Sequence, residues 1–175
     1  MSYSNRVQPI QTPPQLYAHA IAIEREAAER YAELAGQMAD RGSEAVAEVF
    51  RLLARAEGEH LDSLLRRTEG LALPPIGPGQ YAWLDQGAPE TTAHEWVMRL
   101  MTPHQALVIA LDAEKRAQAF FERVFLTADD PALRALAQEM AMDELEHITM
   151  VERLLERTPE PIVDWASIYE GGERR

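Results

Sequence analysis

The sequence contains two copies of a pattern in which one charged residue interrupts an apolar helical stripe. Around Glu24, and again around Glu114, the chain reads Ala-x3-Glu-x2-Ala-x3-aromatic. The neighbouring apolar residues recur at the three- and four-residue spacing of a single helix face, whereas the other charged residues fall on other faces. Two helices of the same design, with an offset of 90 residues between Glu24 and Glu114, are therefore predicted.

Each of these segments precedes a second one whose apolar stripe carries Glu-x-x-His. The two pairs are Glu57 with His60 and Glu144 with His147, and the two glutamates are 87 residues apart. Side chains three residues apart lie on the same side of a helix, so each pair shares its face with apolar residues. We interpret the chain as a duplicated helical hairpin.

Capping residues and loop lengths extend this duplication to an all-α four-helix bundle. The predicted helices run from Thr12 to Asp40, Ser43 to Gly70, Thr102 to Ala128 and Asp130 to Thr158. Short joins predict that each pair of helices forms an antiparallel hairpin. The long stretch between the hairpins can travel the length of the bundle, so helices two and three are expected to run parallel.

The same signals divide the chain into an N-terminal extension at 1–13, the bundle at 14–157 and a C-terminal tail at 158–175. The crossover linker covers 70–101, and a short extra helix is predicted at 92–101. The tail contains Trp165 and Tyr169, which are expected to pack on the bundle surface or on a partner subunit.

Composition excludes several functions. The chain has no cysteine, so disulfides, thiolate zinc sites, iron–sulfur clusters and thiol catalysis are excluded. Its net charge of -12 argues against nucleic-acid binding, which depends on patches of Lys and Arg. No apolar run is long enough to span a membrane, and the N-terminus lacks the apolar core of a signal peptide. We therefore expect a cytoplasmic protein without membrane or nucleic-acid partners.

The charged residues on the four apolar stripes predict a metal site. A buried, unpaired carboxylate costs several kcal/mol, and no Lys or Arg lies on these stripes to pair with the four glutamates. Protonation or a solvated surface position would also avoid this cost, but two divalent cations would neutralise all four carboxylates. Oxygen and imidazole donors suit iron or manganese, with zinc or cobalt allowed by affinity. The predicted ligands are Glu24, Glu57, His60, Glu114, Glu144 and His147.

Other polar residues near the pattern have two interpretations. Tyr31 follows Glu24 by two helical turns and could donate a hydrogen bond to a ligand carboxylate. An ordinary core aromatic explains Tyr31 equally well. His19, His94 and His104 lie off the pattern and are interpreted as structural or surface residues.

The combination of repeat and ligand spacing resembles the rubrerythrin-related branch of the ferritin-like superfamily. The resemblance spans 16–68 and 105–157, and Tyr31 matches a tyrosine that rubrerythrins place after their first ligand. It implies a ferritin-like bundle with a di-iron carboxylate site. It also implies terminal ligands at Glu24 and Glu114, bridging ligands at Glu57 and Glu144, and one histidine for each metal at His60 and His147.

The chain departs from that family's pattern at several points. It lacks the four cysteines of a rubredoxin domain, so electrons for peroxide reduction would come from a separate donor protein. Ala117 stands where rubrerythrins carry an additional carboxylate ligand. Gly58 follows Glu57, where bacterioferritins have a haem-binding methionine.

The resemblance implies a di-iron oxidoreductase that reacts with hydrogen peroxide or dioxygen, as a peroxidase or ferroxidase in oxidative-stress or iron handling. A homodimer is expected for that function. Three alternatives remain open: an iron-binding or storage module without turnover, a dimanganese catalase-like enzyme, and a di-iron hydroxylase.

Overall fold

The protein is an all-α four-helix bundle in a computed structural model that describes residues 9–76 and 101–160. The four helices are α1 Pro13–Asp40, α2 Glu44–Arg67, α3 Pro103–Thr127 and α4 Pro131–Arg157. All four predicted helices are confirmed, and the largest difference is that α2 ends before the predicted Gly70. None of the helices described combines the length and apolarity needed to cross a bilayer.

Some predictions concern residues beyond this description. The short helix at 92–101 falls outside it except for Met101, which is buried and non-helical. His94, Trp165 and Tyr169 also lie outside the described residues.

Polar side chains define where the helices of the second hairpin begin. Thr102 and Gln105 form reciprocal hydrogen bonds, in which the Gln105 backbone N–H donates to Thr102 Oγ1 at 3.2 Å and the Thr102 N–H donates to Gln105 Oε1 at 3.1 Å. Asp130 Oδ1 accepts from the Ala132 N–H at 2.7 Å. Each cap is followed by a proline. Proline suits the first helical turn because the backbone N–H that it lacks would have no partner within the helix there.

Glycine makes the tight join between α1 and α2 possible. Gly42 has a φ of 76°, in the left-handed region that glycine adopts without steric cost. Its backbone N–H donates to Ala39 O at 2.9 Å, and that of Ser43 donates to Met38 O at 2.9 Å. The last carbonyls of α1 are thereby satisfied while the chain reverses direction.

Two apolar clusters occupy the two ends of the bundle. The first joins the start of α1, the end of α2, the end of α3 and the start of α4. The second joins the opposite ends of the same helices. The helices α1 and α4 are therefore parallel, and so are α2 and α3, as the long crossover predicted. The largest fully buried apolar residues are Phe50, Phe121, Leu16, Met38, Leu53, Leu107, Leu133, Val46 and Val151.

Helix neighbours determine which side chains can meet at the middle of the bundle. The main contacts are within the hairpins, between α1 and α2 and between α3 and α4. The hairpins meet through α1 against α4 and α2 against α3. The level between the two apolar clusters is where the stripes of all four helices carry ionisable residues.

We predict that the second cluster depends on Phe50, whose side chain is 0% exposed and stacks on Tyr31 with ring centroids 6.0 Å apart. Phe50→Ala should lower the free energy of unfolding by about 3–5 kcal/mol, because it removes buried area and leaves a cavity. Leu126→Ala is the control, since Leu126 is 77% exposed and should change stability by about 0.5 kcal/mol or less. Urea denaturation followed by circular dichroism measures both, and equal losses would contradict this core.

Candidate metal centre

All six residues predicted from the sequence as ligands lie at the level between the two apolar clusters. We call this level the carboxylate layer; it consists of Glu24, Glu57, His60, Glu114, Glu144 and His147. Its four glutamates are only 2–4% exposed, and His147 is 5% exposed. His60 differs, because 30% of its side chain remains exposed.

Three carboxylates from three helices converge on His147. Its Nδ1 lies 3.3 Å from Glu57 Oε1, 3.4 Å from Glu114 Oε2 and 3.7 Å from Glu144 Oε2. One atom each of Glu57, Glu114 and His147 lie within 4.8 Å of one another, a spacing that suits a shared metal ion.

Glu24 and His60, the other two residues of the carboxylate layer, lie next to this group. His60 Nδ1 lies 3.9 Å from Glu24 Oε1. The rings of His60 and His147 are in contact, with centroids 4.2 Å apart and planes tilted by 46°. The two halves of the duplicated hairpin therefore place their ionisable groups against one another.

Several polar atoms of the layer are buried without a hydrogen-bond partner among residues 9–76 and 101–160. They are Glu24 Oε2, Glu57 Oε1 and both ring nitrogens of His147. Within the same ranges, no arginine or lysine forms an ion pair with these glutamates. Unsatisfied oxygen and nitrogen atoms that converge in a buried layer fit divalent metal ions, which accept such ligands and supply the missing positive charge.

The crowding of carboxylates opposes their ionisation in the metal-free protein. Burial raises the pKa of Glu57 well above its ordinary value, and the nearby Glu114 and Glu24 raise it further. Burial likewise raises the pKa of Glu144 to about 7.

Contacts between imidazole and carboxylate groups favour the charged form of both, because they lower the pKa of the carboxyl group and raise that of the imidazole. Burial raises the pKa of Glu24, but His60 and Glu57 facing it outweigh burial, and its pKa is lowered overall. Burial lowers the pKa of His147, yet the carboxylates of Glu114 and Glu144 raise it to about 11. Contact with Glu24 likewise raises the pKa of His60. Without metal, both histidines of the layer therefore favour their protonated forms.

Of the two interpretations of Tyr31, the structure supports the hydrogen bond to a carboxylate, and this bond crosses the bundle. The Tyr31 hydroxyl donates to Glu114 Oε1 at 2.9 Å, which links α1 to α3. Burial, together with Glu114 and Glu57, raises the pKa of Tyr31 well above its ordinary value. The hydroxyl therefore stays protonated and acts as a hydrogen-bond donor. Its equivalent in the second hairpin, Phe121, has no hydroxyl and packs in the first apolar cluster.

Two further histidines have structural roles, as their sequence positions predicted. His19 Nδ1 lies 2.8 Å from Gln15 O within α1, and its ring stacks on Phe120. His104 Nδ1 lies 2.8 Å from Thr158 O and joins the start of α3 to the end of α4.

Sequence reasoning missed a group of polar residues beside the layer. Asp143 and Glu139 of α4 and Arg67 of α2 line a cavity of about 240 Å³ that reaches Glu24, His60 and Glu144. Because the three lie off the apolar stripes, the sequence places them among the solvated charges. One signal was available in the sequence. Glu139, Asp143 and His147 follow one another at intervals of four residues, which places the two acidic groups on the same face of α4 as His147.

Comparison with known proteins agrees with this fold. A solved structure of an uncharacterized conserved protein from Magnetospirillum magnetotacticum MS-1 is 36% identical, with a TM-score of 0.70, and covers 87% of this chain and 99% of its own. A family model described as Rubrerythrin matches residues 16–80.

This chain belongs to the rubrerythrin-related, ferritin-like family. The family model covers α1 and α2, and the Magnetospirillum protein extends the relationship over most of the chain. No curated protein matches the sequence.

We predict that the metal-free rubrerythrin-related bundle loses stability as pH rises. Folding raises the pKa of Glu144 from 4.5 to about 7 and that of His147 from 6.5 to about 11. The folded protein thus binds protons more tightly than the unfolded chain, so the free energy of unfolding falls as pH rises through these values. Thermal unfolding of the metal-free protein between about pH 5 and about pH 8 should show a decreasing Tm.

Glu144→Gln should weaken this pH dependence, because the amide does not titrate in this range. Glu122→Gln is the control, since Glu122 is exposed on α3 and should leave the slope unchanged. A Tm that stays constant or increases with pH in the metal-free protein would contradict the electrostatics of the layer.

Proposed function

We propose that the chain binds two iron ions in the carboxylate layer and reacts with hydrogen peroxide or dioxygen. The observation that carries the proposal is the convergence of four buried glutamates and two histidines. Among them, Glu24 Oε2, Glu57 Oε1 and both ring nitrogens of His147 lack a hydrogen-bond partner in the described chain. A layer without metal would compensate the repulsion of these carboxylates only in part, through protonation of its own groups. Membership of the rubrerythrin-related family supports iron as the metal.

The proposed ligand arrangement follows the duplication. Each metal would be held by one histidine and one of Glu24 and Glu114, and the glutamates of the two Glu-x-x-His pairs would contribute to both sites. The short distances from His147 Nδ1 to Glu57 and Glu114 support this arrangement. The proposed ligands are Glu24, Glu114, Glu57, Glu144, His60 and His147.

Two bound iron ions would supply the two electrons that reduction of one peroxide molecule requires. The residues of the chain position and shield this chemistry. Tyr31 holds the Glu114 carboxylate in one orientation through the hydrogen bond to Oε1. The apolar clusters above and below the layer exclude water, which strengthens the attraction between carboxylates and cations.

Turnover as a peroxidase would need a partner that returns electrons. The chain has no cysteine and therefore no rubredoxin site of its own, so we propose a separate donor protein.

We also propose a homodimer. Exposed apolar residues on adjacent helices support it: Val108 and Ile109 on α3 are 47% and 45% exposed, and Met142 and Leu145 on α4 are 55% and 38% exposed.

The first test is metal content. The wild-type protein should bind two metal ions per chain, measured by elemental analysis after loading with ferrous iron under anaerobic conditions. Glu57→Ala combined with Glu144→Ala should abolish paired binding, because both proposed bridging carboxylates are removed. Glu59→Ala with Glu146→Ala is the matched control, since these exposed glutamates lie on the same helices two residues further on.

Circular dichroism establishes whether each variant is folded. Two metals retained by a folded Glu57→Ala/Glu144→Ala protein would refute the ligand assignment. Metal loss in the control variant would refute it as well.

The second test is reactivity. We expect the diferrous protein to be oxidised faster by peroxide than by oxygen, followed by absorbance in a stopped-flow instrument, and size exclusion should show a dimer. Donor-independent oxygen evolution from a manganese-loaded protein would indicate a catalase instead. A large cage that accepts far more than two irons per chain would indicate storage.

A further inference from the structure

A cavity of about 240 Å³ opens beside His60 and reaches the carboxylate layer. Three of the six residues of the layer form its inner wall: Glu24, His60 and Glu144. The remaining lining residues come from α2 and α4. They are Ser63, Leu64, Arg67, Glu139, Met140 and Asp143.

The duplication of the bundle is broken at this cavity. In one half, the Tyr31 hydroxyl donates to Glu114. In the other half, Phe121 occupies the position of Tyr31 and offers no donor to Glu24. Glu24 is 4% exposed and lines the cavity, and its Oε2 has no hydrogen-bond partner in the described parts of the chain. This buried carboxylate oxygen could therefore bind a cation that enters through the cavity.

Exposure of the two histidines shows the same asymmetry. The His60 side chain is 30% exposed, whereas that of His147 is 6% exposed. The carboxylate layer is therefore accessible to solvent at His60 and closed at His147.

The charge of the cavity favours cations. Its lining contains four carboxylates, against one guanidinium and the imidazole of His60. That guanidinium, Arg67, is already engaged: Nη1 lies 2.8 Å from Glu139 Oε1, and Nη2 donates to Glu139 Oε2 at 2.9 Å and to the Tyr17 hydroxyl at 3.2 Å. Asp143, half-buried in the wall, has no arginine or lysine ion pair within the described ranges.

We propose that this cavity is the route by which divalent cations load the carboxylate layer, and that Asp143 draws them from solvent to Glu24 and Glu144. A low-dielectric cleft lined by one sign of charge raises the local concentration and the association rate of the opposite charge. The proposal rests on the proposed function, because it assumes that the layer binds metal.

The rate at which Co²⁺ binds to the metal-free protein tests the route. Absorbance of bound Co²⁺ in a stopped-flow instrument gives this rate without oxidation chemistry. Asp143→Asn should slow loading by about three- to tenfold, because one of the carboxylates that focus the field is removed. The final stoichiometry should stay that of the wild type. Asp62→Asn is the control: it makes the same charge change on the exposed side of α2 and should load at the wild-type rate.

Steric closure provides a second, independent variant. Ser63→Trp should narrow the cavity and slow loading while leaving the net charge unchanged, whereas Ser63→Ala should load normally. Raised salt should slow the wild type more than Asp143→Asn, because screening weakens the attraction that Asp143 contributes.

The outcomes separate this proposal from the function on which it depends. A wild-type protein that binds no Co²⁺ would overturn both. A wild-type protein that binds two ions, together with Asp143→Asn and Ser63→Trp variants that load at its rate, would overturn the route alone. Loss of stoichiometry in Asp143→Asn would also overturn it, because Asp143 would then be a ligand.

Discussion

Four glutamate carboxylates buried between two apolar clusters repel one another unless positive charge lies among them. In the metal-free bundle, the compensation is partial: the pKa values of Glu57, Glu144 and His147 are all raised, which favours their protonated forms and reduces the repulsion. Unpartnered atoms remain on Glu24, Glu57 and His147. The middle of the bundle is thus suited to binding cations, and the apolar clusters at both ends hold its six groups in place.

Duplication explains the composition of the carboxylate layer, and departures from duplication explain how its two sides differ. Both hairpins supply the same three ionisable groups at equivalent positions. Tyr31 and Phe121 break the equivalence, so that Glu114 is held by a hydroxyl and Glu24 is not. The greater exposure of His60 than of His147 places the accessible side at Glu24. A symmetric set of ionisable groups therefore has one side that is open to solvent at His60 and one side that is buried and fixed by a hydrogen bond.

Much of this arrangement could be predicted because the deciding forces are local. Caps such as Thr102 and Asp130 act within one helical turn, so the beginnings of α3 and α4 are visible in the sequence. When an apolar stripe packs into the core, a single glutamate on that stripe is buried with it. For this reason Glu24 and Glu114 could be identified from the sequence as buried carboxylates. The acceptor of the Tyr31 hydroxyl could not be identified, because it lies 83 residues away on a helix of the other hairpin.

The sequence by itself determined the four helices, their pairing into hairpins and the six ionisable residues on their apolar faces, since helical periodicity and capping depend on neighbours in the chain. Only the tertiary structure decided that Tyr31 holds Glu114, that His60 and not His147 meets solvent, and that Asp143 and Arg67 border the layer. These features depend on which helices lie side by side and how far each is rotated about its axis. Small rotations exchange exposed and buried positions without changing the apolar pattern.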